Sequence, residues 1–366
     1  MVIIAGGGTG GHLFPGIAVA EELVARGHTV RFVGTARGIE AKVCPRDGWP
    51  LDLIDVAGLK GGGVMGLVKG LLRVPRALFR SRKILRREKP DLVIGVGGYA
   101  SGPMVLAAAL SGIPTAILEQ NSVPGITNRM LGRVVRRVFG SFSAAQRFFP
   151  PKKYVLVGNP VRKRVRAGLS SVGTTPTERG LLIVGGSQGA RKVNELVAGA
   201  MERLQSQGNA PRILHQTGEA DLAAITKRYA DAHIPGQARA FIDDMASAYR
   251  GARLAVTRAG ASTLAELTAL GVPAILIPLP SAADDHQTVN ARELAEAGAA
   301  VLAAQADTTP ESLAALIAGL LADEPRLEQM AARARSLAKP DAHRIIVDAL
   351  EDLGQSRALP SAGAAR

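Results

Sequence analysis

Three glycine-rich turns hold the residue types with which this chain could handle an anionic ligand. The first, Gly6-Gly7-Gly8-Thr9-Gly10-Gly11, joins an apolar run at 2–5 to a helical pattern starting at 13. Glycines let backbone N–H groups approach a ligand, and a helix start adds unpaired donors and a partial positive charge. The junction therefore suits a phosphate or a sugar diphosphate. His12 stands there, where an imidazole titrating near neutrality could take a proton or hydrogen-bond a substrate. The plainer alternative is a helix-capping histidine that faces solvent. A second turn, Gly97-Gly98-Tyr99-Ala100-Ser101-Gly102-Pro103, follows an apolar run at 91–95, and a third, Gly185-Gly186-Ser187-Gln188-Gly189, follows one at 181–184. The run at 115–119 ends in Glu119-Gln120-Asn121. A polar cluster at a strand end points to function, which makes Glu119 and Asn121 candidates.

These turns need a frame. Apolar runs at 2–5, 29–33 and 51–56 alternate with helical patterns at 13–26 and near 39, a βαβ rhythm that predicts a parallel sheet covered by helices on both faces. Glycine turns after strands of one parallel sheet open at its carboxyl edge, where such sheets bind ligands. The stretch 168–179 is rich in Ser, Thr, Gly and Pro without hydrophobic periodicity, and past it the same grammar restarts, with strand-like runs at 212–215, 238–242, 254–257, 274–277 and 299–302. The expectation is two Rossmann-like domains, 1–162 and 163–340. A helix at 341–353 returns to the first domain, and a tail at 354–366 is without fixed structure.

Charge separates the halves. Residues 1–163 carry 24 Lys and Arg against 9 Asp and Glu, a net +15, whereas 164–366 carry 21 against 22, a net −1. A basic half implies an acidic partner. Within it, 63–87 interleaves Leu71, Leu72, Leu78 and Phe79 with Arg73, Arg76, Arg80 and Lys83, a pattern that can lie on an anionic bilayer or form an ordinary surface helix; Pro75 is expected to break or kink it. Nucleic acid is disfavoured, because aromatics are 4% of the chain and no base-reading motif occurs. The uncharged stretch 92–118 is interrupted by Gly and Pro and reads as strand, loop, helix, strand rather than a membrane span. One cysteine, Cys44, excludes an intramolecular disulfide framework and fits a reducing compartment. Gly6, Gly8 and Gly11 satisfy the dinucleotide fingerprint, yet the second strand runs into Gly34-Thr35-Ala36-Arg37 without the acid that a ribose needs; only a 2′-phosphate on Arg37 would keep that reading. No glycine turn leads into Lys-Ser or Lys-Thr, so a P-loop fails. Asp284-Asp285-His286, three successive residues, cannot all face one metal ion.

Eight blocks in order, GGGTGGHLFPG at 6–16, GGYASGP at 97–103, EQNSVPGITNR at 119–129, GNPVR at 158–162, GGSQGA at 185–190, FIDDM at 241–245, TRAGASTLAE at 257–266 and DDHQTVNA at 284–291, resemble the MurG family of bacterial N-acetylglucosaminyltransferases. The resemblance implies an α/β, GT-B fold, two doubly wound parallel-sheet domains facing across a cleft. It also implies a metal-independent, cofactor-free inverting hexosyltransferase working peripherally at the cytoplasmic membrane face. Its substrates would be UDP-N-acetylglucosamine and undecaprenyl-diphosphate-linked muramyl-pentapeptide.

Carried over motif by motif, the resemblance gives Ile242 to uracil through its backbone, Glu266 to the ribose hydroxyls, and Ser187, Gln188 and Arg162 to the donor and its diphosphate. Arg258, Ala261, Ser262 and Thr263 would line the same donor site, with Gln287 on the sugar. Thr9, Gly10, Gly11, Gly98 and Tyr99 would hold the acceptor's diphosphate, and Asn121 would reach the transferred sugar. His286 stands where some members have glutamine, and its role stays open. The acceptor hydroxyl must lose a proton as it attacks; His12 is the preferred base, with Glu119 as the alternative base or as an orienting partner. A related GT-B glycolipid synthase is the nearest rival, and a regulatory membrane-surface protein that keeps the fold is the rival from another class.

Overall fold

The computed structural model describes residues 1–56, 63–170, 180–186 and 189–358, without the side chains of 63–74, 168–170, 283 and 356–358. The chain divides into two compact units, 1–162 with 340–366, and 163–339.

In the first unit the elements are β1 (Val2–Ala5), α1 (Gly10–Ala25), β2 (Val30–Gly34), α2 (Glu40–Arg46), β3 (Leu51–Leu53), α3 (Gly63–Glu88), β4 (Leu92–Gly95), α4 (Ser101–Leu110), β5 (Thr115–Glu119), α5 (Ile126–Val134), β6 (Arg137–Gly140) and β7 (Tyr154–Leu156). They form a seven-stranded parallel sheet in the order β3-β2-β1-β4-β5-β6-β7, with Val2 opposite both Val30 and Leu92. Strands β1, β4 and β5 are buried throughout, as uninterrupted apolar runs inside a doubly covered parallel sheet must be.

The second unit contains α6 (Lys163–Ser170), β8 (Gly180–Val184), α7 (Arg191–Ser206), β9 (Ile213–Gln216), α8 (Leu222–Asp231), β10 (Gly236–Arg239), α9 (Met245–Arg250), β11 (Ala252–Thr257), α10 (Ala261–Leu270), β12 (Ala274–Leu276), α11 (His286–Glu296), β13 (Ala300–Leu302), α12 (Pro310–Ala322) and α13 (Glu324–Leu337). Its six parallel strands run β10-β9-β8-β11-β12-β13. In each unit the strand order reverses at one place, between β1 and β4 and between β8 and β11. The loops that leave these strands flank the crevice where open α/β sheets take ligands.

Three helices differ from the sequence reading, and β10 covers Gly236–Arg239 where the sequence pattern points to 238–242. Helix α1 starts at Gly10, three residues early, because His12 N–H and Leu13 N–H both donate to the Thr9 carbonyl; glycines are poor helix formers and hid this turn. Helix α3 runs unbroken through Pro75. The last helix, α14 (Ala342–Ala358), continues past Gly354, where a tail was expected. One helical glycine costs about 1 kcal/mol, whereas Ile346, Val347, Leu350 and Leu353 are all buried in the core shared with α1. Arg26, at the end of α1, pairs with Asp348 and Glu351 at 2.6 and 2.9 Å.

Candidate functional site

The two glycine turns of the first unit touch each other. Gly7 N–H donates to the Gly97 carbonyl at 3.1 Å, and a Cβ on Gly6 would sit 2.2 Å from that same oxygen. Gly98 has φ +78°, and a Cβ there would meet the Gly7 carbonyl at 2.2 Å. Both glycines are therefore required by backbone-to-backbone packing at the strand reversal, and it is Gly8 that faces open space. His12, half-buried in the first turn of α1, lays its ring against Gly97, and its Nδ1 is 3.3 Å from the Thr9 hydroxyl. Tyr99 projects outward, 53% exposed. Beneath the first turn, Glu40 accepts the Gly8 N–H at 2.6 Å and the Thr35 N–H at 2.8 Å. The end of β2 is thus filled by a carboxylate too deeply buried to meet a nucleotide ribose, which removes the footing of the dinucleotide reading.

At the end of β5, Glu119 is only 2% exposed. One carboxylate oxygen accepts the Asn121 N–H at 2.9 Å and the other accepts the Asn128 side-chain amide at 2.8 Å. Burial nevertheless outweighs these bonds and pushes its pKa up to about 7. Gln120 ties this strand end to that of β4 by donating to the Val96 carbonyl at 3.0 Å. Arg162, the last residue of this part of the unit, stacks its guanidinium on the Phe14 ring of α1 at 4.2 Å.

In the second unit the turn after β8 rests on the end of β9. A Cβ on Gly189 would meet the Thr217 carbonyl at 2.2 Å, and Gln216 donates to the Gly186 carbonyl at 3.0 Å while accepting the Ile242 N–H at 2.9 Å. A buried chain supports this junction from below. Asn194 of α7 donates to the Thr217 carbonyl at 2.8 Å, its oxygen lies 3.0 Å from His215 Nε2, and His215 Nδ1 lies 2.7 Å from the Tyr229 hydroxyl. Burial drives the His215 pKa down to about 3, so the ring is neutral. Its Nε2–H then donates to Asn194, and Nδ1 accepts from Tyr229.

Across the strand reversal, α10 opens at Ala261 behind Gly260, which has no side chain to cap the helix. In the second turn of that helix, Glu266 is 8% exposed and accepts the Tyr249 hydroxyl at 3.1 Å. Arg258 is not at the surface of this edge. Its guanidinium donates to the carbonyls of Ile277 and Pro278 and to Gln305 at 3.0, 2.8 and 2.7 Å, and burial lowers its pKa. Gln287, in the first turn of α11, accepts the Leu279 N–H at 3.0 Å.

Residues 2–140 match the glycosyltransferase family 28 N-terminal domain and residues 180–346 the family 28 C-terminal domain. A Myxococcus xanthus protein, described as UDP-N-acetylglucosamine--N-acetylmuramyl-(pentapeptide) pyrophosphoryl-undecaprenol N-acetylglucosamine transferase, is 50% identical over 354 residues, which cover 96% of this chain and 92% of that one. The chain belongs to glycosyltransferase family 28. A protein of the same description from Syntrophotalea carbinolica is 50% identical to this family 28 glycosyltransferase over 92% of its chain and 94% of the relative's. The crystal structure of Acinetobacter baumannii MurG, 36% identical, matches with a TM-score of 0.76 over 96% of this chain and 99% of that one.

Within this family 28 glycosyltransferase, the sequence-selected residues fall into two groups. Thr9, Gly10, Gly11, His12, Gly98, Tyr99, Glu119, Asn121 and Arg162 belong to the first unit. Ile242, Arg258, Ala261, Ser262, Thr263, Glu266 and Gln287 belong to the second. Ser187 and Gln188 lie outside the described residues. Sequence reasoning missed Glu40, Asn128, Asn194, His215, Gln216, Tyr229 and Tyr249, the groups that hold the selected ones. Their only sequence signal is a polar residue inside an otherwise apolar helix face or strand.

Proposed function

We propose that this glycosyltransferase moves N-acetylglucosamine from UDP-N-acetylglucosamine to the 4-hydroxyl of the muramyl sugar on undecaprenyl-diphosphate-linked muramyl-pentapeptide. The transfer inverts the anomeric centre by direct displacement. The observation that carries this reading is half-identity along nearly the whole chain to proteins described by that reaction.

The donor belongs to the second unit. Glu266, oriented by the Tyr249 hydroxyl, accepts from the vicinal ribose hydroxyls. Since the Ile242 N–H is already engaged by Gln216, it is the Ile242 carbonyl that meets the uracil imide. The α10 start, with Ala261, Ser262 and Thr263, adds amide donors, and Gln287 bonds the sugar. Arg258 acts indirectly, by fixing the 277–278 turn ahead of Gln287. The charge that develops on the departing diphosphate is assigned, by their motifs alone, to Arg162, Ser187 and Gln188.

The acceptor belongs to the first unit, its diphosphate at Thr9, Gly10 and Gly11 beside Gly98 and Tyr99, and Asn121 bonding the incoming sugar. His12 is the base. Its Nδ1 lies 3.3 Å from the Thr9 hydroxyl, and in the tautomer protonated there Nε2 would be the nitrogen to remove the 4-hydroxyl proton. Glu119 serves instead as the orienting partner, because both its oxygens face inward to Asn121 and Asn128.

The membrane face is the helix layer α3, α4 and α5. Phe79, Leu110, Ile126 and Met130 are each more than 60% exposed there, among Arg76, Arg80, Lys83, Arg129 and Arg133. Each cation near an anionic leaflet adds about 1 kcal/mol. No helix among the described residues is long and apolar enough to cross a membrane.

The test is to incubate the purified protein with UDP-N-acetylglucosamine and a lipid-linked muramyl-pentapeptide in EDTA, following UDP and disaccharide-lipid. Formation of both supports donor, acceptor and metal independence together. Donor binding without product would redirect the search to another lipid acceptor.

A further inference from the structure

We propose that Glu40 is a positioning residue for the acceptor side, a carboxylate pin that fixes the first glycine turn and thereby sets where Thr9 and His12 stand. The inference rests on the reading that the first unit handles the acceptor.

Glu40 is the first residue of α2 and is 1% exposed. Its Oε2 accepts the Gly8 N–H at 2.6 Å; its Oε1 accepts the Thr35 N–H at 2.8 Å and the Thr35 hydroxyl at 3.0 Å. The backbone around it is shaped to admit this one group. A Cβ on Gly7, Gly34 or Gly38 would come within 2.3 Å of a Glu40 side-chain atom. Burying a carboxylate is unfavourable unless donors surround it, so three donors from two loops, within a cage of three glycines, mark a built arrangement.

The pin joins the ends of neighbouring strands. Glu40 binds the turn after β1 to the turn after β2, and the Gly7-to-Gly97 hydrogen bond carries the connection on to the turn after β4. Thr9, one residue beyond the pinned amide, caps α1 and meets the His12 ring. Glu40 is too deeply buried to touch a ligand, so its effect passes through Gly8.

Glu40→Gln keeps the size and removes the charge, and one end of the amide must then present N–H to N–H, at Gly8 or at Thr35. The experiment compares wild type and Glu40→Gln by kcat and KM for lipid acceptor, UDP-N-acetylglucosamine Kd, and amide hydrogen exchange of residues 6–13. The expected result is at least tenfold faster exchange in 6–13 and at least tenfold lower kcat/KM for acceptor, with donor Kd unchanged within twofold. Faster exchange with donor Kd weakened in parallel would leave the pin standing and remove the acceptor from the first unit. Unchanged exchange, or wild-type kcat/KM for acceptor, would overturn the pin. If Glu40→Gln does not fold, Thr35→Val, which deletes one of the three donors, is read the same way with an expected twofold to fivefold effect, and no effect overturns the proposal.

Discussion

Glu119 makes the stability of the first unit depend on pH in a direction opposite to that of most paired carboxylates. Its pKa is raised from 4.5 to about 7 by burial. Because the folded state holds the proton more tightly than the unfolded chain, the stabilisation is fully present below about pH 4.5 and is lost as pH rises through 7. At 1.36 kcal/mol per unit, raising the pH from 5 to 8 withdraws roughly 2–3 kcal/mol. Glu119→Gln cannot ionise, so its stability should lack this loss. The single tryptophan, Trp49, packs edge-on against Phe32 at 5.6 Å within the first unit, and its fluorescence during urea unfolding reports on that unit. The wild type should lose roughly 2–3 kcal/mol more than Glu119→Gln on going from pH 5 to pH 8. Trp49 unfolding curves that shift with pH by the same amount in both proteins would refute the assignment of a raised pKa to this carboxyl group.

Three further outcomes are expected. Removing the base by His12→Ala should lower kcat by about 10²–10⁴-fold while UDP binding, followed by calorimetry, stays within twofold; wild-type kcat would take His12 out of the chemistry. Gly98→Ala puts a Cβ against the Gly7 carbonyl at a positive φ and should destabilise the first unit by more than 1 kcal/mol, read by the same Trp49 signal. Tyr229→Phe leaves His215 Nδ1 buried without its donor, which should cost about 1–3 kcal/mol and weaken UDP binding; unchanged affinity would detach the network from the turn after β8.

What the sequence reveals and what it conceals follow the same physical divide. Strands β1, β4, β5 and β8 are readable because a doubly covered parallel strand is an apolar run, and the glycine turns are readable because at Gly6, Gly98 and Gly189 a Cβ would strike a neighbouring carbonyl. Strand β6 is not: Arg137-Val138-Phe139-Gly140 opens on the last of three arginines, Arg133, Arg136 and Arg137, and its burial comes from neighbours that the sequence does not show. The same holds at the sites. Glu40 and Glu266 look like ordinary helix acids, and only contacts distinguish a carboxylate caged by three glycines from one held by a tyrosine. Arg258 reads as a ligand group and is instead taken up by three protein oxygens. Periodicity registers which side is buried, but it carries no information about which donor meets which acceptor.

The course of the chain has a consequence for synthesis. Residues 163–339 form one uninterrupted unit, so every element of that core has been translated before α14 exists. The first unit is different: α14 supplies Ile346, Val347, Leu350 and Leu353 to a core begun by β1 and α1 some 340 residues earlier. During translation the later-encoded unit can finish folding first, while the earlier one waits with an apolar α1 surface uncovered. A gene cut after residue 162 would release a fragment in that waiting state, whereas one joining 162 to 340 would restore the missing helix.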